Sequence, residues 1–230
     1  MIIRLFIIFI AALLFSGCES RETLIKETIS AQDLSNWQTL DKGKTTVSGD
    51  EITIEEVPGS DGYFLISPES YEGDLIMNYK VKAVSESSVL IVLFSASDKG
   101  ASGSLTLPPP ETKGSEFWTW RTTLEHYNLT FNNRSHGGNK PFLFKNISPL
   151  ERGFFLRSAE NIMEVGEWYD VEIGKQDQKV WFKLNNQTIF EQEDCQQLSN
   201  GHIMFRISGT NGDTVILAKA VMKDLVIFHE

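Results

Sequence analysis

Val180-Trp-Phe-Lys-Leu-Asn-Asn-Gln-Thr-Ile-Phe190 carries two short runs rich in apolar and β-branched residues on either side of Asn185-Asn186. Asn tolerates the positive φ that a two-residue hairpin turn demands, so the stretch reads as a closed two-stranded ribbon. Runs of the same kind recur along the chain. Glu51-Ile-Thr-Ile-Glu-Glu56, Asp74-Leu-Ile-Met-Asn-Tyr-Lys-Val-Lys82 and Tyr169-Asp-Val-Glu-Ile173 alternate one apolar face with one wet face, the period of a half-buried strand. Val89-Leu-Ile-Val-Leu-Phe94, and Leu217 to Ala220 leading into Leu225-Val-Ile-Phe228, are apolar on both faces, as strands covered on each side would be. No stretch beyond residue 18 sustains a 3.6-residue period for more than a few turns, and no segment repeats at a fixed spacing. The expected fold class is all-β, a two-sheet antiparallel β-sandwich. Asp98 to Glu116, with Pro108-Pro109-Pro110, and Asn132 to Pro141 interrupt the pattern and read as loops.

Composition agrees with one folded domain. The 230 residues are 41% hydrophobic and 11% aromatic, enough apolar mass to offset chain entropy. The formal charge is −10 and no Lys/Arg cluster occurs, so the electrostatic footprint of a nucleic-acid-binding protein is missing.

The first residues carry an address. A single early cation, Arg4, precedes an unbroken apolar run from Leu5 to Phe15, too short for a bilayer core of roughly 30 Å but suited to an export signal. The run ends in Phe15-Ser16-Gly17-Cys18, which resembles a bacterial lipobox, with Phe15 where Leu is usual. The resemblance implies a signal peptide over 1–17, cleavage before Cys18 and lipid on that cysteine, hence a membrane partner and a place at the bacterial cell envelope, outer membrane or cell surface. Only Cys18 and Cys195 exist, so lipidation of the first leaves the second as a lone thiol, and its acidic neighbours Glu193 and Asp194 disfavour the thiolate. Several acyl chains anchor stably where one is marginal. Polar residues from Glu19 onward suggest a spacer over 18–35, leaving 36–230 as the β-sandwich domain.

The middle of the chain concentrates side chains suited to sugar, flat rings for C–H faces and planar hydrogen-bonding groups for hydroxyls and carboxylates. Trp118 and Trp120 would share one strand face, with Arg121 opposite, the alternative being two core tryptophans. His126, Asn128 and Thr130 fall on one face of the next strand, Tyr127, Leu129 and Phe131 on the other. Arg134 and His136 follow in a loop. Arg206 lies between apolar neighbours on a late strand and needs a partner, either a sheet acid or, jointly with Arg134, a substrate carboxylate.

Tyr127-Asn-Leu-Thr-Phe131 with Arg134, Arg152-Gly-Phe154 with Leu156, Trp168-Tyr169, Phe182-Lys-Leu-Asn-Asn186, Ile189-Phe190, Asp194 and Gly201-His-Ile-Met-Phe-Arg206 resemble, in order and approximate spacing, the YesU-like group of bacterial concanavalin A-like jelly-roll proteins. The resemblance covers residues 120 to 230. Met204 departs from it, standing where the group commonly has Gly, and the basic stretch ahead of Gly153 is shorter. The group is similar to lectin, glucanase and polysaccharide-lyase domains, so the resemblance implies a carbohydrate ligand without naming a bond to be broken.

Spacing weighs on the chemistry. Hydrolysis needs two carboxyls facing across a cleft, and the usual jelly-roll solution, Glu-x-Asp-x-x-Glu, is absent. Glu51 with Glu55 and Asp170 with Glu172 share faces, but on what read as solvated outer surfaces. For β-elimination, His126, Tyr127, Arg134 and His136 supply the catalytic residue types, although the Gln-x-His and Arg-x-Glu-x-Arg strings of alginate-lyase jelly rolls do not occur. With 4 His in the chain and no acid cluster near His126 and His136, neither a metal nor another cofactor is expected. The expectation is an exported lipoprotein that binds or processes an oligosaccharide or polysaccharide, uronate-containing chains included, with Trp118, Trp120, Asn128 and Arg206 as substrate-binding residues. The alternatives are a jelly-roll polysaccharide lyase or glycoside hydrolase, and a non-catalytic structural lipoprotein of the envelope. Oligomeric state is not legible.

Overall fold

The computed structural model describes residues 24–109, 112–113, 115–132, 140–148, 151–160, 162–210 and 215–230. The chain enters through β1 (Ile25–Ile29), the short helix α1 (Ala31–Ser35), β2 (Gln38–Leu40), β3 (Gly43–Ser48) and β4 (Glu51–Glu56). It continues through β5 (Tyr63–Ile66), β6 (Leu75–Ala83) and β7 (Val89–Asp98), then α2 (Ser115–Thr123), β8 (Leu124–Asn132), β9 (Phe142–Ser148) and β10 (Glu151–Arg157). The last strands are β11 (Tyr169–Gln176), β12 (Lys179–Leu184), β13 (Gln187–Glu193), β14 (His202–Ser208) and β15 (Lys219–His229).

These strands build two antiparallel sheets stacked as a sandwich. One sheet runs β13-β12-β11-β6-β15-β4-β3, with β1 also on β15; the other runs β10-β9-β8-β7-β14-β5-β2. The expected hairpin forms between β12 and β13, with Asn185 at φ 48° and Asn186 at φ 63°. β15 is long enough to serve two partners on one side: Lys219 to Met222 pair with β4, and Leu225 to His229 pair with β1. Between these halves Asp224 takes φ 58° in a bulge, so Met222 and Leu225, three residues apart, both turn inward.

The core fills the space between the sheets. Trp37 stacks on Phe205 at 5.8 Å, Tyr79 meets Phe205 edge-on at 5.4 Å, and Phe131 packs on Phe182 at 5.2 Å. Each such buried ring stabilises the fold by roughly 1.5–3 kcal/mol relative to exposure. β7 is covered on both faces, as its sequence predicts: Leu90, Val92 and Phe94 enter the core between the sheets, and Val89, Ile91 and Leu93 enter a second apolar cluster outside, roofed by Phe117 and Leu124.

Two expectations are corrected. From Ile25 the chain is part of the sandwich rather than spacer, because β1 pairs with β15 and α1 buries Ala31 and Leu34. Ser30 caps that helix in a reciprocal capping box with Asp33, which offsets the polar composition that made the segment look unstructured. The Trp118 to Arg121 stretch is helical, not extended. Spacings of three, four and seven turn Phe117, Trp120, Arg121 and Leu124 toward the sheet and leave Trp118 outward.

Candidate functional site

The outer face of the β10-to-β2 sheet positions the site. Register places Thr130 opposite Phe142, Asn128 opposite Phe144 and His126 opposite Asn146, so alternate residues of β8 and β9 form one ordered surface. α2 covers part of it: Phe117 packs on Phe64 at 5.7 Å, and Trp120 meets Phe64 edge-on at 6.3 Å while its Nε1 donates to the Thr106 carbonyl at 3.0 Å. The uncovered part is a cleft of about 370 Å³, walled by Trp118, Arg121, Asn128, Thr130, Phe142, Phe144, Arg206 and Ser208. That volume lies at the small end of ligand sites, roughly 300–1,000 Å³.

Two cations dominate the cleft. Arg121 reaches in from α2, 6% exposed, with its guanidinium over the Trp118 ring at 4.8 Å and its Nη1 without an acceptor. Burial, and then the charge of Arg206, lower its pKa to about 9, still leaving it protonated at neutral pH. Arg206 arrives from β14, stacked 5.2 Å over Phe64; its Nη2 donates to the Asp61 carbonyl at 2.6 Å and its Nε has no acceptor. Gly62, at φ 118°, makes room for it, since a Cβ there would sit 2.2 Å from Arg206 Nη2. Asn128 donates to Thr130 Oγ1 at 3.0 Å, and Trp118 remains 53% exposed at the rim.

Residues 23–209 match the domain of unknown function DUF1961. The chain belongs to the DUF1961 family. Its fold is similar to a protein of unknown function with galectin-like fold from Bacillus subtilis, at 16% identity and TM-score 0.70, covering 90% of this chain and 96% of that one. It is also similar to the carbohydrate binding module CBM66 from Bacillus subtilis (14% identity, TM-score 0.53, 85% and 97% covered). A third likeness is to the Bacillus licheniformis beta-glucanase (11% identity, TM-score 0.55, 91% and 99% covered). These likenesses establish the jelly-roll fold. No curated protein matches the chain in sequence.

In this DUF1961 chain the residues singled out from sequence do not all meet. Trp118, Asn128 and Arg206 share the cleft. Trp120, packed edge-on against Phe64, borders not this cleft but a separate shallow depression with Leu107, Pro108 and Pro109. His126 lies on the cleft side of β8 but is buried, edge-on to Phe144 at 6.0 Å, with Nδ1 3.2 Å from the Leu124 carbonyl. That oxygen only accepts, so Nδ1 carries the proton. Burial and the Arg121 charge depress its basicity to about 3, keeping the ring neutral and unsuited to proton shuttling near neutral pH. Arg134, His136 and Cys18 lie outside the described residues.

Tyr127 points the other way, into the core, where its hydroxyl donates to Asp194 at 2.6 Å and accepts from the Leu198 amide at 3.0 Å. Burial and the adjacent carboxylate push the phenol upward, away from any role as a base. Lys145 completes an ion pair with Asp194 at 2.9 Å and donates to the Gln196 carbonyl. Lys175, lowered to about 8 chiefly by burial, donates to the Leu198 and Ser199 carbonyls at 2.6 Å each. Tyr127 and Asp194, two residues carrying the family resemblance, thus pin the Asp194-to-Ser199 segment to the sheets.

Arg121, Phe142 and Phe144 were not anticipated as site residues. The helical spacing of Phe117 to Arg121 was the available signal for the first. Register with β8 exposes the other two to the cleft, and pairing of that kind is not written in either strand alone.

Proposed function

We propose that the cleft between α2 and the outer sheet face binds an oligosaccharide. The observation that carries the reading is the convergence, in one small hollow, of exposed or stacked rings (Trp118, Phe142, Phe144) with planar or hydroxyl hydrogen-bonding groups (Arg121, Asn128, Thr130, Arg206). Rings cover the C–H faces of a pyranose while amide, hydroxyl and guanidinium groups meet its hydroxyls. Similar folds include a carbohydrate binding module and a glucanase, which supports the ligand class. Among the described lining residues there is no Asp or Glu, and His126 is held neutral, so binding is favoured over hydrolysis or elimination. The protein performs this role at the bacterial cell envelope, held there by lipid on Cys18 after removal of residues 1–17.

Titration calorimetry of the full chain against neutral and acidic oligosaccharides tests the ligand. Micromolar to millimolar affinity without reducing ends or unsaturated products is the expected result; products would reassign the protein as an enzyme, and absence of any affinity would reject the reading in favour of a structural envelope protein. For the anchor, palmitate labelling is expected in the wild type and absent in Cys18→Ser; label retained by that variant rejects it.

A further inference from the structure

Arg121 and Arg206 reach the cleft from different elements, and each keeps a buried N–H without an acceptor, Nη1 of the first and Nε of the second. Among the described residues neither forms an ion pair with an acid. The acids whose fields reach Arg206 are Glu56, Asp41 and Asp61. Glu56 is engaged by the Ser60 hydroxyl and by the Gly209 and Ala218 amides at 3.0, 2.7 and 2.8 Å; Asp41 accepts from the Asp61 amide at 2.7 Å. Two like charges therefore share one hollow, a costly arrangement without an anion between them. The chain as a whole carries −10, so an acidic ligand would be repelled everywhere that this local pair does not act.

We infer that the cleft contains an anion subsite in which Arg121 and Arg206 bind the carboxylate of a uronate residue, an inference that rests on the oligosaccharide reading above. A planar guanidinium presents parallel N–H groups that match the two oxygens of a carboxylate, and two guanidiniums, each backed by an aromatic ring, hold their forks in place. The sugar ring bearing the carboxylate then lies between Trp118 and Phe144, with Asn128 and Thr130 facing its hydroxyls. A sulfate ester offers similar charge but a tetrahedral face.

The test uses the full chain and short oligomers of galacturonate, mannuronate and glucuronate, each beside its methyl ester, with a sulfated galactan as a separate arm. At least one acidic oligomer is expected to bind about tenfold or more tighter than its ester. Arg121→Met and, separately, Arg206→Lys should erase that gap, each lowering affinity for the acid about tenfold more than affinity for the ester, with thermal unfolding confirming the fold of each variant. Equal affinity for acid and ester, an acid preference that survives Arg121→Met, or preference for the sulfated chain overturns the carboxylate subsite. Binding of esters and neutral glycans alone overturns the subsite but not the oligosaccharide reading; absence of all binding overturns both.

Discussion

β8 lends neighbouring residues to two polar clusters on opposite sides of one sheet, and the two are finished differently. On the core side, Tyr127, Asp194 and Lys145 form a closed set: the carboxylate accepts from the phenol, the ammonium and the Gln196 amide. Burial alone would raise the Asp194 carboxyl, but these donors outweigh it and hold it below the ordinary range. On the cleft side, Arg121 and Arg206 keep donors that nothing accepts. A buried polar group that is fully matched organises structure, whereas one left unmatched beside a cavity carries a cost that an acceptor entering the cavity removes. The distinction is what favours the cleft side of the sheet for the proposed binding site.

Breaking the closed cluster should have the largest effect. Lys145→Met leaves Asp194 charged and enclosed, and should destabilise the protein by about 3–5 kcal/mol in denaturant titration, with no change in sequence at the cleft. A loss below about 1 kcal/mol would erase the contrast between the clusters. Next in size is acid sensitivity. His126 is neutral when folded down to about pH 3 but takes a proton near pH 6.5 when unfolded, so its contribution is intact above 6.5 and falls by up to about 1.4 kcal/mol per pH unit below it. His126→Gln should flatten the stability curve between pH 6 and 4; an unchanged slope would mean the imidazole is not the group responsible. In the open cluster the sign reverses. Arg121→Met removes an unmatched buried cation and should raise stability by about 1 kcal/mol in the same titration, even as it removes the preference for acidic glycans. The smallest effect on stability, under about 0.5 kcal/mol, belongs to Trp118→Ala at the exposed rim, and calorimetry should show it weakening every oligosaccharide, charged or not.

The strand pattern was legible because alternation and turn chemistry are local. Asn185 and Asn186 occupy the positive-φ positions their side chains tolerate, and β7 is apolar on both faces because a sheet covers one and α2 the other. What was not legible depends on distant partners. β1 is a strand only because β15 supplies its hydrogen bonds, and its own composition, Ile-Lys-Glu-Thr-Ile, is compatible with a tether. α2 is a single short helix containing three threonines, residues that favour strands, so tertiary contact through Phe117 and Trp120 outweighs local preference. Of the residues lining the cleft, Asn128 was readable from strand parity and Arg206 from its place between apolar neighbours on a late strand. Arg121 was not, since misjudging the helix sent it to the wrong side, and the pairing of Tyr127 with Asp194 spans 67 residues.

The pairing of β1 with β15 sets Ile25 opposite His229, so the first and last described strands finish side by side on the sheet remote from the cleft. Anything attached at either end, whether an acyl chain, a fluorophore or a fused module, departs from the same patch. A circular permutant joining the two through a short linker should keep the architecture, and immobilisation by either end should leave the α2 cleft open to bulk solution.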